Sequence, residues 1–269
     1  MSLDMILEGQ GNSRTLMPGR STRFVLLTSQ RTGSTLLVHS LALSQKILCA
    51  GEIFHTGRGI LHPEFQYAYR WLGSVVLGRL RDTFAGRYRI RKHLRAFYLA
   101  ADTGVEAVGF KLMVSQLRQF PAIMPTLVEL GVRFLYLYRD ETFATALSYC
   151  RAKATGVFHS DRADEAQEQS IVISEKEFAR ILGKCTRDKQ ELIRFHQSHG
   201  GFLMRHEEMV ANWDAFVEKL GVELGIDQLR IPKALSKLRV GVESARIANE
   251  AALLARFGGA SRGEVPADR

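Results

Sequence analysis

Residues 23–37, RFVLLTSQRTGSTLL, constrain the possible folds more than any other part of the chain. An apolar run from Phe24 to Leu27 gives way to a polar loop centred on Gly33, and Leu36, Leu37, Leu41 and Leu43 then recur with helical spacing. Strand, glycine loop and helix in direct succession aim the loop N–H groups and the positive end of the helix dipole at one point. That arrangement holds a phosphate or a sulfate.

The Walker A pattern, G-x-x-x-x-G-K-[ST], fits this stretch only in part. With Gly33 as its second glycine, Thr28 takes the place of the first and Ser34 that of the lysine. The loop carries its cation instead at Arg31, two residues before the glycine. P-loop enzymes that move a phosphoryl group rely on the lysine and on Mg²⁺ to neutralise it. A transferred group with less charge needs less of either.

The stretch from Thr28 to Leu37, TSQRTGSTLL, resembles the 5′-phosphosulfate loop of sulfotransferases that use 3′-phosphoadenosine 5′-phosphosulfate (PAPS). The likeness is to the bacterial carbohydrate type, which includes nodulation-factor, trehalose and lipopolysaccharide sulfotransferases. It implies a P-loop-like three-layer α/β/α fold with a central parallel sheet of about five strands. It also implies that Arg31, Thr32, Gly33, Ser34 and Thr35 bind the nucleotide.

A chain of 269 residues with 46% hydrophobic and 24% charged residues can bury one large α/β core, and no Pro/Gly/Ser-rich linker divides it. The expected organisation is a flexible arm over residues 1–20, one domain over 21–258 and a disordered tail over 259–269. No apolar run approaches the ~20 residues of a membrane helix. Asp4 and Glu8 interrupt the first twenty residues, which do not read as a signal peptide, so a cytoplasmic address is expected. Cys49, Cys150 and Cys185 are odd in number and widely spaced, which argues against disulfides and a zinc site. A net charge of +9 favours anionic partners without naming one.

After the first helix, residues 46–52 read as a short buried strand ending in Gly51-Glu52. Ligands of a doubly wound sheet gather outside the C-terminal strand ends, so Glu52 is expected beside the loop. The resemblance implies an acid near this point as the base that takes the proton of the acceptor hydroxyl. His55 is a second candidate for that role and His62 a weaker third. The alternative for Glu52 is a solvated loop carboxylate.

From His62 to Tyr98 the chain turns helical, aromatic and basic, with seven Arg and Lys side chains crowded between residues 79 and 95. Such a run is either a solvated face or a surface for an acidic acceptor or a phospholipid head group, hence a possible peripheral membrane contact. Residues 107–113 read as a strand followed by one helix through Leu117, Phe120, Ile123 and Leu127. Lys111 within that strand either points toward the sulfate site or snorkels from an edge strand.

Residues 132–138 have strong β character, and Arg139-Asp140 then open a helix that Asp140 is able to cap. Ser148 lies roughly 10 Å along that helix at 1.5 Å per residue. The pair Arg139 and Ser148 resembles the segment that binds the 3′-phosphate of PAPS. Residues 155–170 read as an acidic exposed loop suited to a lid, and residues 174–199 as a helix opened by a capping box from Ser174 to Glu177. A further strand at 201–206 leads into a segment that resembles the family's Y-E-D strand and helix, with His206 in place of the tyrosine, and is read as structural. The tail carries Lys233, Lys237 and Arg239 before a helix at Asn249-Glu250, like the basic C-terminal segment with which these enzymes close over the nucleotide.

The expected activity is sulfuryl transfer from PAPS to a carbohydrate or glycolipid hydroxyl, releasing 3′-phosphoadenosine 5′-phosphate (PAP), without a metal and without a nucleic-acid partner. Glu52, Arg31 and His55 are the expected catalytic residues. Two other readings stay open: a P-loop kinase of a small hydroxyl compound, and a non-catalytic basic protein that binds nucleotides or glycans.

Overall fold

A computed structural model describes residues 21–55, 62–67, 84–101, 104–156, 170–234 and 246–259. The expected arm, most of the tail and the acidic segment at 157–169 lie outside these residues, as do Lys237, Arg239 and the N-terminal part of the basic stretch.

Five parallel strands form the central sheet: β1 (Thr22–Thr28), β2 (Ile47–Cys49), β3 (Ala107–Met113), β4 (Arg133–Tyr138) and β6 (Phe202–Arg205), in the order β2-β3-β1-β4-β6. The chain leaves β1 through α1 (Ser34–Leu41) toward β2, and returns on the other side of β1 at β4. This reversal places the Gly33 loop at the topological switch point, where open α/β sheets bind ligands.

The strand β1 is central because its residues can be buried on both faces. Val25 and Leu27 enter one core with α2 (Phe84–Ala100), α3 (Val114–Gln119), α4 (Ile123–Glu129) and Leu192 of α6 (Glu175–His199). Phe24 and Leu26, alternating with them, enter a second core with α1 and with Met209 of α7 (His206–Ala211) and Phe216, Val217 and Leu220 of α8 (Trp213–Leu224). The two-residue period of a strand thus builds both layers from one apolar run. A third cluster joins α5 (Thr142–Thr155), α6 and α9 (Glu250–Phe257), beside a small parallel pair of β5 (Ser170–Ile171) and β7 (Arg246–Ile247).

Three local expectations are corrected. The single helix expected after β3 is two, because Pro121 keeps Phe120 out of the helical region (φ −132°, ψ 77°) and ends α3. Asp140 does not cap α5: its side chain meets Lys189 Nζ at 2.9 Å, and Glu207 of α7 accepts the N–H groups of Asp140 and Glu141 instead. Lys111 is not on an edge, since β3 lies between β2 and β1 and leaves this residue 6% exposed. Ser174 opens α6, accepting the Glu177 N–H at 3.3 Å, but the expected capping box is only half formed, because the Glu177 carboxylate pairs with Lys153 Nζ.

Candidate active site

The loop after β1 is braced from within. The hydroxyls of Thr28 and Thr32 stand 2.6 Å apart, within hydrogen-bond reach of the carbonyls of Leu137 (2.9 Å) and Ser29 (3.0 Å). Thr32 is buried, and its hydroxyl is used in this brace, so its main chain is what it offers a ligand. Arg31 and Gly33 both take the left-handed conformation, at φ 64° and 81°. For a non-glycine residue this costs about 1–2 kcal/mol, and the turn it makes exposes successive N–H groups to one side. A Cβ on Gly33 would lie 2.6 Å from Nδ1 of His206 and 2.9 Å from Cε of Met209, so space as well as φ requires glycine here. The first bond of α1 runs from Leu37 N to Gly33 O (3.1 Å), which leaves the first-turn amides of Ser34 and Thr35 without an intrahelical acceptor.

The two sequence motifs meet at Ser148. Arg31 Nε donates to Ser148 Oγ at 2.9 Å, joining the loop to α5. Arg139 closes β4, and its Nε is buried without a hydrogen-bond partner; the nearest carboxylate oxygen, on Glu207, is 4.0 Å away. Arg151, one turn beyond Ser148, has a buried Nε in the same condition. Burial, and then the positive charges of Arg139 and Arg151, lower the Arg31 guanidinium below its ordinary pKa. Three guanidinium groups close enough to act on one another, two of them with an unmet buried donor, call for an anion with several acceptor oxygens.

His206 is a site residue that the sequence reading treated as structural. Its ring lies against Gly33, and Nδ1 is buried without a hydrogen-bond partner. Burial first, and the charge of Arg139 next, lower its pKa from the usual histidine value. Position was the available signal: Arg205 pairs with Tyr138 across β4 and β6, which sets His206 level with Arg139.

Glu52 follows β2 on the same edge of the sheet, with β3 between it and the loop. It is not a solvated loop carboxylate. Its Oε1 lies 2.8 Å from Lys111 Nζ, with the side chains 19% and 8% exposed, and Gln116 Nε2 donates to Oε2 at 3.1 Å. Gln116 is itself held by the Met113 N–H, which donates to its Oε1 at 3.0 Å. The carboxylate is therefore fixed by an ion pair and an amide that share the end of β3. His55 follows in the same turn, its N–H bonded to the Glu52 carbonyl at 3.1 Å and its side chain exposed. His62 pairs with Glu64 at 2.9 Å on the surface. Among the described residues no group of three or more His, Cys, Asp or Glu is placed to hold a metal ion.

The family model described as Stf0 sulphotransferase matches residues 23–181, which span the Gly33 loop, Glu52 and the Arg139–Ser148 segment. No curated protein matches the chain. Similar solved structures include a sulfotransferase from Alicyclobacillus acidocaldarius, 15% identical over 91% of this chain and 97% of that one, with a TM-score of 0.43. The sulfotransferase domain of the curacin biosynthetic pathway is 12% identical over 93% and 94% (TM-score 0.46). That of the Synechococcus PCC 7002 olefin synthase is 14% identical over 96% and 100% (TM-score 0.45).

Proposed function

Since the chain belongs to the Stf0 sulphotransferase family and is a sulfotransferase, we propose that it moves the sulfuryl group of PAPS to a hydroxyl of a carbohydrate or glycolipid. The observation that carries the donor assignment is the meeting of Arg31 with Ser148, flanked by the unmet guanidinium donors of Arg139 and Arg151. A nucleotide bearing a 3′-phosphate and a 5′-phosphosulfate supplies anions for both halves of this site, whereas ADP or ATP supplies only one. The residues present fit the donor.

Arg31 and the amides from Gly33 to Thr35 bind the 5′ end and stabilise the charge that grows on the leaving phosphate oxygen. Arg139 and Ser148 hold the 3′-phosphate and so select the nucleotide. Glu52 orients the acceptor hydroxyl and takes its proton as the new oxygen–sulfur bond forms and the old one breaks. Lys111 and Gln116 keep that carboxylate in place. The expected metal independence follows from the lower charge of a sulfuryl group.

An acceptor at a lipid surface suits one further feature. The outward stripe of α2 carries Phe84, Tyr88, Lys92, Arg95 and Leu99, with Phe84 86% exposed, and the helix contains no acidic residue. It packs against the segment that follows Glu52 through His93, whose ring lies 5.7 Å from that of Phe54. Among the described residues no helix is long and apolar enough to cross a membrane.

The test is transfer of labelled sulfate from PAPS to cell-envelope glycans, glycolipids and small sugars. A labelled product with stoichiometric PAP is expected. Transfer confined to non-carbohydrate hydroxyls would overturn the acceptor class and leave the activity standing.

A further inference from the structure

Arg139 and Ser148 account for one of the two guanidinium groups left unmet near the loop. Arg151 is the other. It sits on α5 three residues after Ser148, hence on the same face, and its side chain is 23% exposed with Nε buried and unpartnered. The carboxylate with which it pairs, Glu250 at the start of α9, stands 3.9 Å from Nη2, too far for a hydrogen bond.

The helix that supplies Glu250 is firmly seated. Leu253 is buried in the cluster shared with α5 and α6, and Asn249 both accepts the Ile173 N–H (3.1 Å) and donates to the Ile173 carbonyl (2.8 Å). The loose distance to Arg151 is thus set by docked elements on both sides. A tie between α5 and α9 alone would be expected to close to a hydrogen-bonded pair, as Arg256 of α9 does with Glu175 of α6.

We infer that Arg151 is a third ligand of the nucleotide 3′-phosphate, and that Glu250 is the carboxylate this phosphate displaces. The inference rests on the PAPS reading of the site. It follows from charge and geometry together: a phosphate dianion matches more than one guanidinium, and Arg151 lies beside the helical serine already assigned to it. The C-terminal helix thereby contributes a negative charge to the site, where the sequence of the tail suggested only positive ones.

Calorimetric titration of PAP and AMP into the full chain tests it, because the two nucleotides differ only in the 3′-phosphate. Arg151→Ala is expected to weaken PAP at least tenfold and AMP less than twofold, with Arg151→Lys between Ala and the native residue. Glu250→Gln is expected to tighten PAP about threefold or more and to leave AMP unchanged. If either arginine variant keeps the native preference for PAP, or if PAP and AMP weaken equally, Arg151 does not read the 3′-phosphate. Unchanged or weaker PAP binding in Glu250→Gln removes Glu250 from the assignment. A native chain that binds PAP no better than AMP overturns the nucleotide reading itself, a result distinct from the others.

Discussion

Arg31 and Ser148 are 117 positions apart in the chain and 2.9 Å apart in space, Nε to Oγ. This bond joins the loop expected to hold the 5′ end of the nucleotide to the helix expected to hold its 3′-phosphate. Arg139, with Nε buried and unmet, lies close enough to Arg31 for its charge to act on it. Arg139→Ala is therefore expected to weaken PAP by about 2 kcal/mol or more and AMP hardly at all, since charge-assisted bonds to the 3′-phosphate are lost. Ser148→Ala should act in the same direction by about 1 kcal/mol. Equal losses for the two nucleotides, measured by calorimetry, would count against a 3′-phosphate at this place.

Arg31 serves the transition state more than the ground state if it faces the oxygen on which charge develops. Its replacement by Ala is expected to lower kcat more than it weakens PAP, and transfer by the native enzyme should persist in excess EDTA. Steady-state kinetics with and without chelator reads both. Complete loss on chelation would favour a metal-dependent, kinase-like mechanism.

For Glu52, the expected loss of transfer in Glu52→Gln is about 10²–10⁴-fold, the usual contribution of a placed base. The pair with Lys111 adds a consequence that sequence did not reveal: this variant leaves a buried ammonium without its counter-charge and should lose roughly 1–3 kcal/mol of stability. The double variant Glu52→Gln/Lys111→Met recovers part of the stability and none of the activity. Urea denaturation beside a transfer assay separates the two effects. Near-normal turnover in Glu52→Gln with loss in His55→Ala would move the base to His55.

His93 sets a pH dependence. Burial among Phe54 and Tyr67 lowers its pKa to about 4, partly offset by a bond to the Phe65 backbone. Because the folded pKa lies below the unfolded value, the unfolded chain binds the proton more readily. This contribution is neutral above about pH 6.5 and destabilises progressively as pH falls from about 6.5 to 4. His93→Phe should flatten the slope of stability against pH across that window, as followed by urea midpoints. An unaltered slope would show that carboxylates alone govern it.

Contact of α2 with lipid is tested with vesicles. The native chain should sediment with phosphatidylglycerol vesicles and not with phosphatidylcholine ones. Replacing Phe84 and Tyr88 by Ser, or Lys92 by Glu, should abolish this without altering transfer to a small sugar. Equal sedimentation of native and variant chains would leave the stripe as an ordinary solvated face.

The strand–loop–helix unit around Gly33 and the strand–helix unit around Arg139 were legible in the sequence because their parts are local. Apolar runs that break into the Gly33 loop and into Arg139, each leading into a helix, announce strand ends, and strand ends of a parallel sheet collect ligands. The roles of Lys111, Glu207, His206 and Arg151 depended on tertiary structure. A lysine in an apolar run is compatible with an edge or with a buried pair, and only the position of β3 between β2 and β1 decides for the pair with Glu52. The N–H groups of Asp140 and Glu141 just before α5 are met by Glu207, dozens of residues away, which no local pattern can announce. His206 and Arg151 read as ordinary until the order of strands sets one against Gly33 and the turn of a helix brings the other beside Ser148. Backbone periodicity is written in neighbouring residues, whereas the pairing of buried charges is a property of the folded whole.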